Sequence, residues 1–303
     1  VLGCAYNAVT VICRRMGGGF GGKESNASWI AAAAALAARA TGRPVKLRLA
    51  RRADMIATGK RHPFLYRWTA GFDATGRIAG LEALLAADGG WSLDMSGGVV
   101  FRAVTHAVNC CDVPALTLTA QAVKTNTVSH TAFRGFGGPQ GALLMEDVIH
   151  RVAAECGLSP EEVRARNFLG SHGNSDELPY GQRVEGDLIA RCWAEARADS
   201  DWDRRRAEIA SFNASHPTLR RGLGSMVLAF GISFGIQHLN QAGALVHVYS
   251  DGSIRLNHGG TEMGQGLFVK IAQVVTEVFG VDLDRVAITA TSTAEVPNTA
   301  PTA

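Results

Sequence analysis

Hydrophobic positions recur along this chain with two periods, and the switches between them lay out its elements. A spacing of three and four marks 139–156 as a helix. Pro139 opens it, Leu143, Leu144, Val148, Ile149 and Val152 supply its apolar positions, and Gly157 stops it. An amphipathic helix over 267–279 ends at Gly280, and an Ala-rich one over 25–41 ends near Gly42 with Pro44 beyond. Ser159, Pro160 and Glu162 form a capping-box start for a short helix through Phe168. Strand-like runs at 64–72 and 78–86 flank a turn from Asp73 to Gly76, and runs at 245–249 and 254–258 flank a turn from Ser250 to Ser253. Both pairs read as hairpins. Residues 10–15, 45–49 and 286–291 read as further strands. The stretch 170–221 departs from both periods. It holds HGNSDELPYGQ and then a charged segment with Arg204, Arg205 and Arg206. It reads as a connection plus a solvated helix between two halves of α+β character, 1–169 and 222–303.

Composition narrows the classes. A chain of 303 residues, 47% hydrophobic and 19% charged, is long enough for two globular domains. The net charge is only +3, and no basic tract is interleaved with aromatics, which points away from nucleic acid. The longest apolar run, 29–38, is about half of what spans a bilayer, so no membrane association is expected. No signal-peptide pattern is found, and a cytoplasmic chain is expected. Cysteines stand at 4, 13, 110, 111, 156 and 192, without a C-x-x-C and without zinc-site spacing. Reduced, buried thiols are expected, and no iron–sulfur site on this chain. A start at Val1 and an end in NTAPTA read as a fragment of something longer.

The 35 glycines cluster rather than spread. Three runs, RMGGGFGGKES from Arg15, TAFRGFGGPQG from Thr131 and HGGTEMGQG from His258, each lie between a strand-like stretch and a helix. Such loops set backbone N–H groups and a helix N-terminus where a polar or anionic ligand can dock. Phe20 and Phe136, wedged among glycines, have few neighbours of their own and must reach across to a substrate ring or another domain. The first loop nearly spells a phosphate-binding loop, but Glu24 stands where a Ser or Thr hydroxyl should hold magnesium. It also matches Gly17-x-Gly19-x-x-Gly22. The acidic ribose partner of a dinucleotide fold is missing, however, because the region around Pro44 is basic.

Together MGGGFGGKES, KRHPF, TAFRGFGGPQ, LNQAGALVHVYSDGS and GGTEMGQG resemble the molybdenum hydroxylase family, and within it the molybdenum-binding part of xanthine dehydrogenases. The match runs along nearly the whole chain in the expected order. It implies two mixed α/β molybdenum-cofactor-binding domains with glycine loops at helix N-termini, the first over 1–169 and the second from 222, joined by 170–221. The cofactor implied is molybdopterin, often nucleotide-extended in bacteria, as in the cytosine dinucleotide form. Its dithiolene holds the metal with no direct protein ligand. By resemblance Gly19, Phe20, Arg134 and Gln265 line the cofactor, with Phe20, Arg134 and Gln265 around molybdenum, and Met263 and Gly264 run along the pterin. The chemistry implied is hydroxylation of hypoxanthine or xanthine at a carbon beside nitrogen. Oxygen comes from a molybdenum-bound hydroxyl, hydride passes to the sulfido ligand, and electrons leave through 2Fe-2S centres and FAD on other domains or a partner subunit. A hetero-oligomer is therefore expected.

Glu24 matches the position that hydrogen-bonds the purine, and Arg102 the arginine that steadies charge on its carbonyl, where a fixed cation aids the reaction. The pair favours a purine over an aldehyde or another N-heteroaromatic, the alternative within the family. Phe136 and Phe234 match the aromatics that sandwich the flat ring, with Phe133 stacking nearby. Two departures stand out. Gly235 occupies a position commonly held by a substrate-contacting Thr, and the Glu that serves as general base lies beyond this sequence. Glu262 and Glu295 have no motif support as its replacement, so the chain alone is not expected to complete a catalytic site.

Overall fold

The computed structural model describes residues 2–185, 187–235 and 237–296. Val1 and all of the NTAPTA tail lie outside these. In chain order the elements are β1 (Ile12–Cys13), α1 (Asn26–Thr41), α2 (Arg51–Ala57), β2 (Phe64–Phe72), β3 (Ile78–Gly90), α3 (Ser96–Thr105), β4 (Ala115–Lys124), α4 (Gly138–Cys156), α5 (Pro160–Arg166), α6 (Leu188–Asp199), α7 (Trp202–Ser215), β5 (Ala244–Val248), β6 (Ile254–His258), α8 (Leu267–Phe279), β7 (Val286–Ile288) and β8 (Thr291–Ser292). The chain divides into two units. The first comprises Val1–Arg61, Val128–Arg134 and Ile232–Ala303; the second comprises His62–Thr127 and Gly135–Gly231.

The second unit holds the larger core. β3 is the middle strand of a three-stranded sheet, antiparallel to β2 and parallel to β4. The parallel pair needs a crossover, and α3 lies within it. Leu81 and Leu85 of β3 pack in one cluster with Leu144, Met145, Val148 and Ile149 of α4. These side chains are almost fully buried, each contributing about 1.5–3 kcal/mol of transfer free energy. The capping box of α5 forms as expected: Ser159 Oγ accepts from Glu162 N at 3.2 Å, and Glu162 Oε2 accepts from Ser159 N at 2.8 Å. Asn167, just past α5, is buried. It accepts from Ile78 N at 2.8 Å and donates to Gly76 O and Val163 O, tying α5 to the β2–β3 turn.

The first unit has a second sheet, in which β6 pairs antiparallel with β5 and parallel with β7. Ile254 and Leu256 pack with Val275 of α8 in a small core. β1 pairs antiparallel with β8.

Several elements differ from their sequence pattern. Residues 45–49 form no strand. Val45, Leu47 and Leu49 alternate with cations, but no ladder partner meets them among the described residues, and an unpaired strand leaves its N–H and C=O groups to water. Residues 10–15 shorten to the two-residue β1, and 286–291 splits into β7 and the start of β8. The segment 170–221 carries two helices, α6 and α7, and is not wholly solvated: Trp193 and Trp202 are buried. Its arginines do face solvent, with Arg204 paired to Asp201 at 3.0 Å. The thiols are free, but only Cys110 and Cys111 are buried, and Cys4 and Cys192 are exposed. Among the described residues no helix is long and apolar enough to cross a membrane.

Candidate functional site

In the first unit the first and third glycine loops meet, together with residues 131–134 from the opening of the second motif. The first loop leaves β1 and enters α1, and the third leaves β6 and enters α8. Met16 N donates to Glu262 O at 3.0 Å, and Arg15 forms a parallel bridge with Glu262, so these two loops run side by side. The opening of the second motif joins them. Arg134 N donates to Phe20 O at 2.9 Å, and Thr131 N donates to Lys60 O at 3.1 Å, which brings in the KRHPF segment. Glycine is what lets the backbones touch. A Cβ on Gly19 would strike the Met263 sulfur, and one on Gly21 would stand 2.7 Å from Ala132 O.

This close packing turns aromatic rings outward. Phe20 adopts φ +59°, a conformation side chains rarely take, and is 63% exposed. The Arg134 guanidinium lies 5.9 Å from its ring. Phe133 is also exposed, and the Arg61 guanidinium lies 4.5 Å above its ring while donating to Arg134 O at 2.7 Å. Among the polar atoms of this unit that are buried without a hydrogen-bond partner among the described residues are Glu24 Oε2 and Arg61 Nη1, beside the first and second motifs, and His258 Nε2 at the start of the third. Buried polar atoms nearly always have a partner, so those beside the glycine loops are places where a group from outside the chain can bond. Burial also lowers the Arg61 pKa below its ordinary value.

The third loop is braced from within. Glu262 Oε1 accepts from Gly264 N at 2.8 Å and Gly266 N at 3.2 Å, and Oε2 accepts from Phe268 N at 3.0 Å. These bonds, the Phe268 N–H foremost, hold its carboxyl below the usual range. The start of α8 is thus filled by the chain's own carboxylate rather than left for an external anion. Gln265 bonds within the loop as well, accepting from Met263 N at 2.6 Å and donating to Thr261 O at 3.0 Å. Glu295 accepts from Thr289 Oγ1 at 3.1 Å. Phe234 is clamped by Asn240, which accepts from its N–H and donates to its carbonyl, both at 2.8 Å; Gly235 beside it is exposed.

The second unit carries Arg102 and Phe136. Arg102 lies on α3, and its guanidinium donates to Gly231 O. It sits 5.2 Å from the Phe230 ring and 5.8 Å from the Phe136 ring, and burial lowers its pKa. Phe136, at φ +47°, lays its ring over Gly98, where a Cβ would stand 2.8 Å from it. Sequence reasoning placed the loops but not Arg61, His106 or Phe230. The KRHPF motif was the available signal for Arg61. His106 and Phe230 sit in ordinary apolar context that gives none. Among the described residues no group of three His, Cys, Asp or Glu side chains is placed to hold a metal ion.

Residues 1–168 match one family model described as a molybdopterin cofactor-binding domain, and residues 195–303 match a second of the same description. The chain belongs to the molybdopterin cofactor-binding domain family. Over 303 residues it is 47% identical to a xanthine dehydrogenase/oxidase of Mus musculus and 46% identical to one of Felis catus. In both comparisons all of this chain aligns with 22% of the relative, so it spans about a fifth of the length of these relatives. Its structure is similar to the aldehyde oxidoreductase from Desulfovibrio desulfuricans ATCC 27774, with TM-score 0.80 and 25% identity over 94% of this chain and 31% of that one. The first unit suits a molybdopterin. Its loop backbones approach where only glycine fits, and the buried Arg61 Nη1 is a donor left for an acceptor on the cofactor.

Proposed function

We propose that this chain is the molybdopterin- and purine-binding part of a xanthine dehydrogenase-type molybdenum hydroxylase. The observation that carries the reading is the buried Oε2 of Glu24 at the end of the first glycine loop, which has no hydrogen-bond partner among the described residues. An acceptor so placed is satisfied by a ring N–H or a hydroxyl of a heterocycle, and the xanthine dehydrogenase relatives favour a purine. When bound, the cofactor supplies oxygen transfer and accepts two electrons. The chain's own residues bind and orient. Gly19, Phe20, Arg134, Met263, Gly264 and Gln265 hold the cofactor, and Glu24 accepts from the substrate. Arg102 steadies charge on its carbonyl, and Phe133, Phe136, Phe234 and Gly235 face the flat ring. Along the sequence we assign a first domain to 1–169, a connection to 170–221 and a second domain from 222; the end of the first family match at 168 supports the first boundary.

The remaining length of the relatives supports further domains or subunits, to which we assign 2Fe-2S and FAD, in a cytoplasmic hetero-oligomer. A nucleotide-extended pterin, such as the cytosine dinucleotide form, belongs to the same proposal. The likeness to an aldehyde oxidoreductase favours a second reading, aldehyde or N-heteroaromatic turnover. The test is molybdenum content and substrate-dependent dye reduction on the full-length protein. Molybdenum with purine turnover is expected; turnover of aldehydes alone would overturn the purine.

A further inference from the structure

We infer that His106 is a positioning residue that aims the Arg102 guanidinium. The inference rests on the reading that Arg102 steadies a purine carbonyl. Its support is a closed circuit of hydrogen bonds within the second unit. Gly231 N donates to His106 Nε2 at 2.9 Å, and the Arg102 guanidinium donates to Gly231 O. The other ring nitrogen of His106, Nδ1, bonds the Arg102 carbonyl one helical turn back at 2.9 Å.

The partners fix the tautomer. A peptide N–H can only donate, so Nε2 is the bare nitrogen; a carbonyl can only accept, so Nδ1 carries the proton. Phe230 closes the arrangement from the side. Its ring lies 5.2 Å from the His106 ring and 5.2 Å from the Arg102 guanidinium, over Gly138, where a Cβ would stand 2.6 Å from it. His106 itself is 8% exposed. The guanidinium therefore points where Gly231 holds it, and Gly231 stays where Nε2 holds it.

Two polar variants separate this role from a merely structural one. In His106→Asn the side-chain amide can still donate to the Arg102 carbonyl but falls short of Gly231. In His106→Gln the longer side chain brings an oxygen to accept from Gly231 N. Both are compared with Arg102→Ala in the full-length enzyme, using an oxopurine and the same ring without its carbonyl, with molybdenum content on every sample. His106→Asn is expected to lower kcat/KM for the oxopurine by about tenfold, one hydrogen bond's worth, with a much smaller loss for the carbonyl-free ring. His106→Gln is expected to recover most of that loss. Combining Arg102→Ala with His106→Asn should cost little beyond Arg102→Ala alone, as residues acting through one group do.

Equal behaviour of the Asn and Gln variants, or equal losses on both substrates, would overturn the inference. So would failure of both variants to yield molybdenum-loaded protein, which assigns His106 to folding. If Arg102→Ala leaves oxopurine turnover intact, the purine reading itself falls and takes this inference with it. If Arg102→Ala lowers turnover and His106→Asn does not, only the inference falls.

Discussion

Gly21→Ala tests the meeting of the glycine loops with a single methyl group. Gly21 has φ +87°, and its new Cβ would stand 2.7 Å from Ala132 O and 2.9 Å from the Phe133 Cα. The left-handed conformation costs a non-glycine residue about 1–2 kcal/mol. Forcing a methyl against backbone that cannot rotate away adds about 1–3 kcal/mol. The total, about 2–5 kcal/mol, shifts the balance between joined and parted loops by roughly 30- to 4,000-fold at about 1.4 kcal/mol per tenfold. Gly17 is the internal control: it lies in the same loop, and a Cβ there meets nothing within 4 Å. Its replacement by Ala should cost no more than about 0.5 kcal/mol. The assay is molybdenum per protein by elemental mass spectrometry on the two full-length variants, with thermal unfolding beside it. Gly21→Ala should lose most of its molybdenum while Gly17→Ala keeps it. Equal content in the two would refute the claim that the first and second loops pack together around the cofactor.

Other consequences are simpler to read. Burial pushes the Cys110 thiol up to about 12 and the Cys111 thiol higher still, so neither should react with an alkylating agent until the protein is unfolded, as mass spectrometry of labelled peptides would show. The Glu262 carboxyl is held below the usual range in the folded state, so the stability it contributes is present above pH of about 4.5 and is lost as pH falls through its lowered value. Glu262→Gln should therefore flatten the acid side of a melting-temperature profile and leave its neutral side's slope unchanged. Leu144→Ala, at a fully buried position of α4, should destabilise the second unit by about 2–5 kcal/mol, measured as earlier loss of protection in hydrogen exchange.

The sequence pattern revealed elements wherever period and punctuation agreed. α4 and α8 show helical spacing closed by Gly157 and Gly280, both in the left-handed conformation. The β2–β3 and β5–β6 hairpins lie where alternation and turn residues placed them. The helix that carries Arg102 was not legible. Its sequence, SGGVVFRAVT, has two glycines after the opening Ser96 and continues with β-branched residues, both poor helix formers. One of those glycines, Gly98, leaves room for the Phe136 ring, a tertiary need that local propensity cannot show. Strand β4 was missed for a related reason: it is exposed at half or more of its positions and owes its place to the parallel ladder with β3. The glycine motifs announced themselves by composition and spacing. That Glu262 fills the start of α8 is a matter of local side-chain geometry within the loop, while that Arg61 rides on Phe133 and that His106 holds Gly231 depend on contacts between residues far apart in the chain.

The most direct test of the central claim is purine kcat/KM per molybdenum in full-length Glu24→Ala against the unaltered enzyme. Glu24 Oε2 is buried without a partner among the described residues, so a substrate donor should complete it. Removing such a charge-assisted bond costs about 1.5–3 kcal/mol, or roughly 10- to 150-fold. The account predicts a loss in that range with molybdenum content unchanged. Purine turnover per molybdenum equal to that of the unaltered enzyme would contradict it.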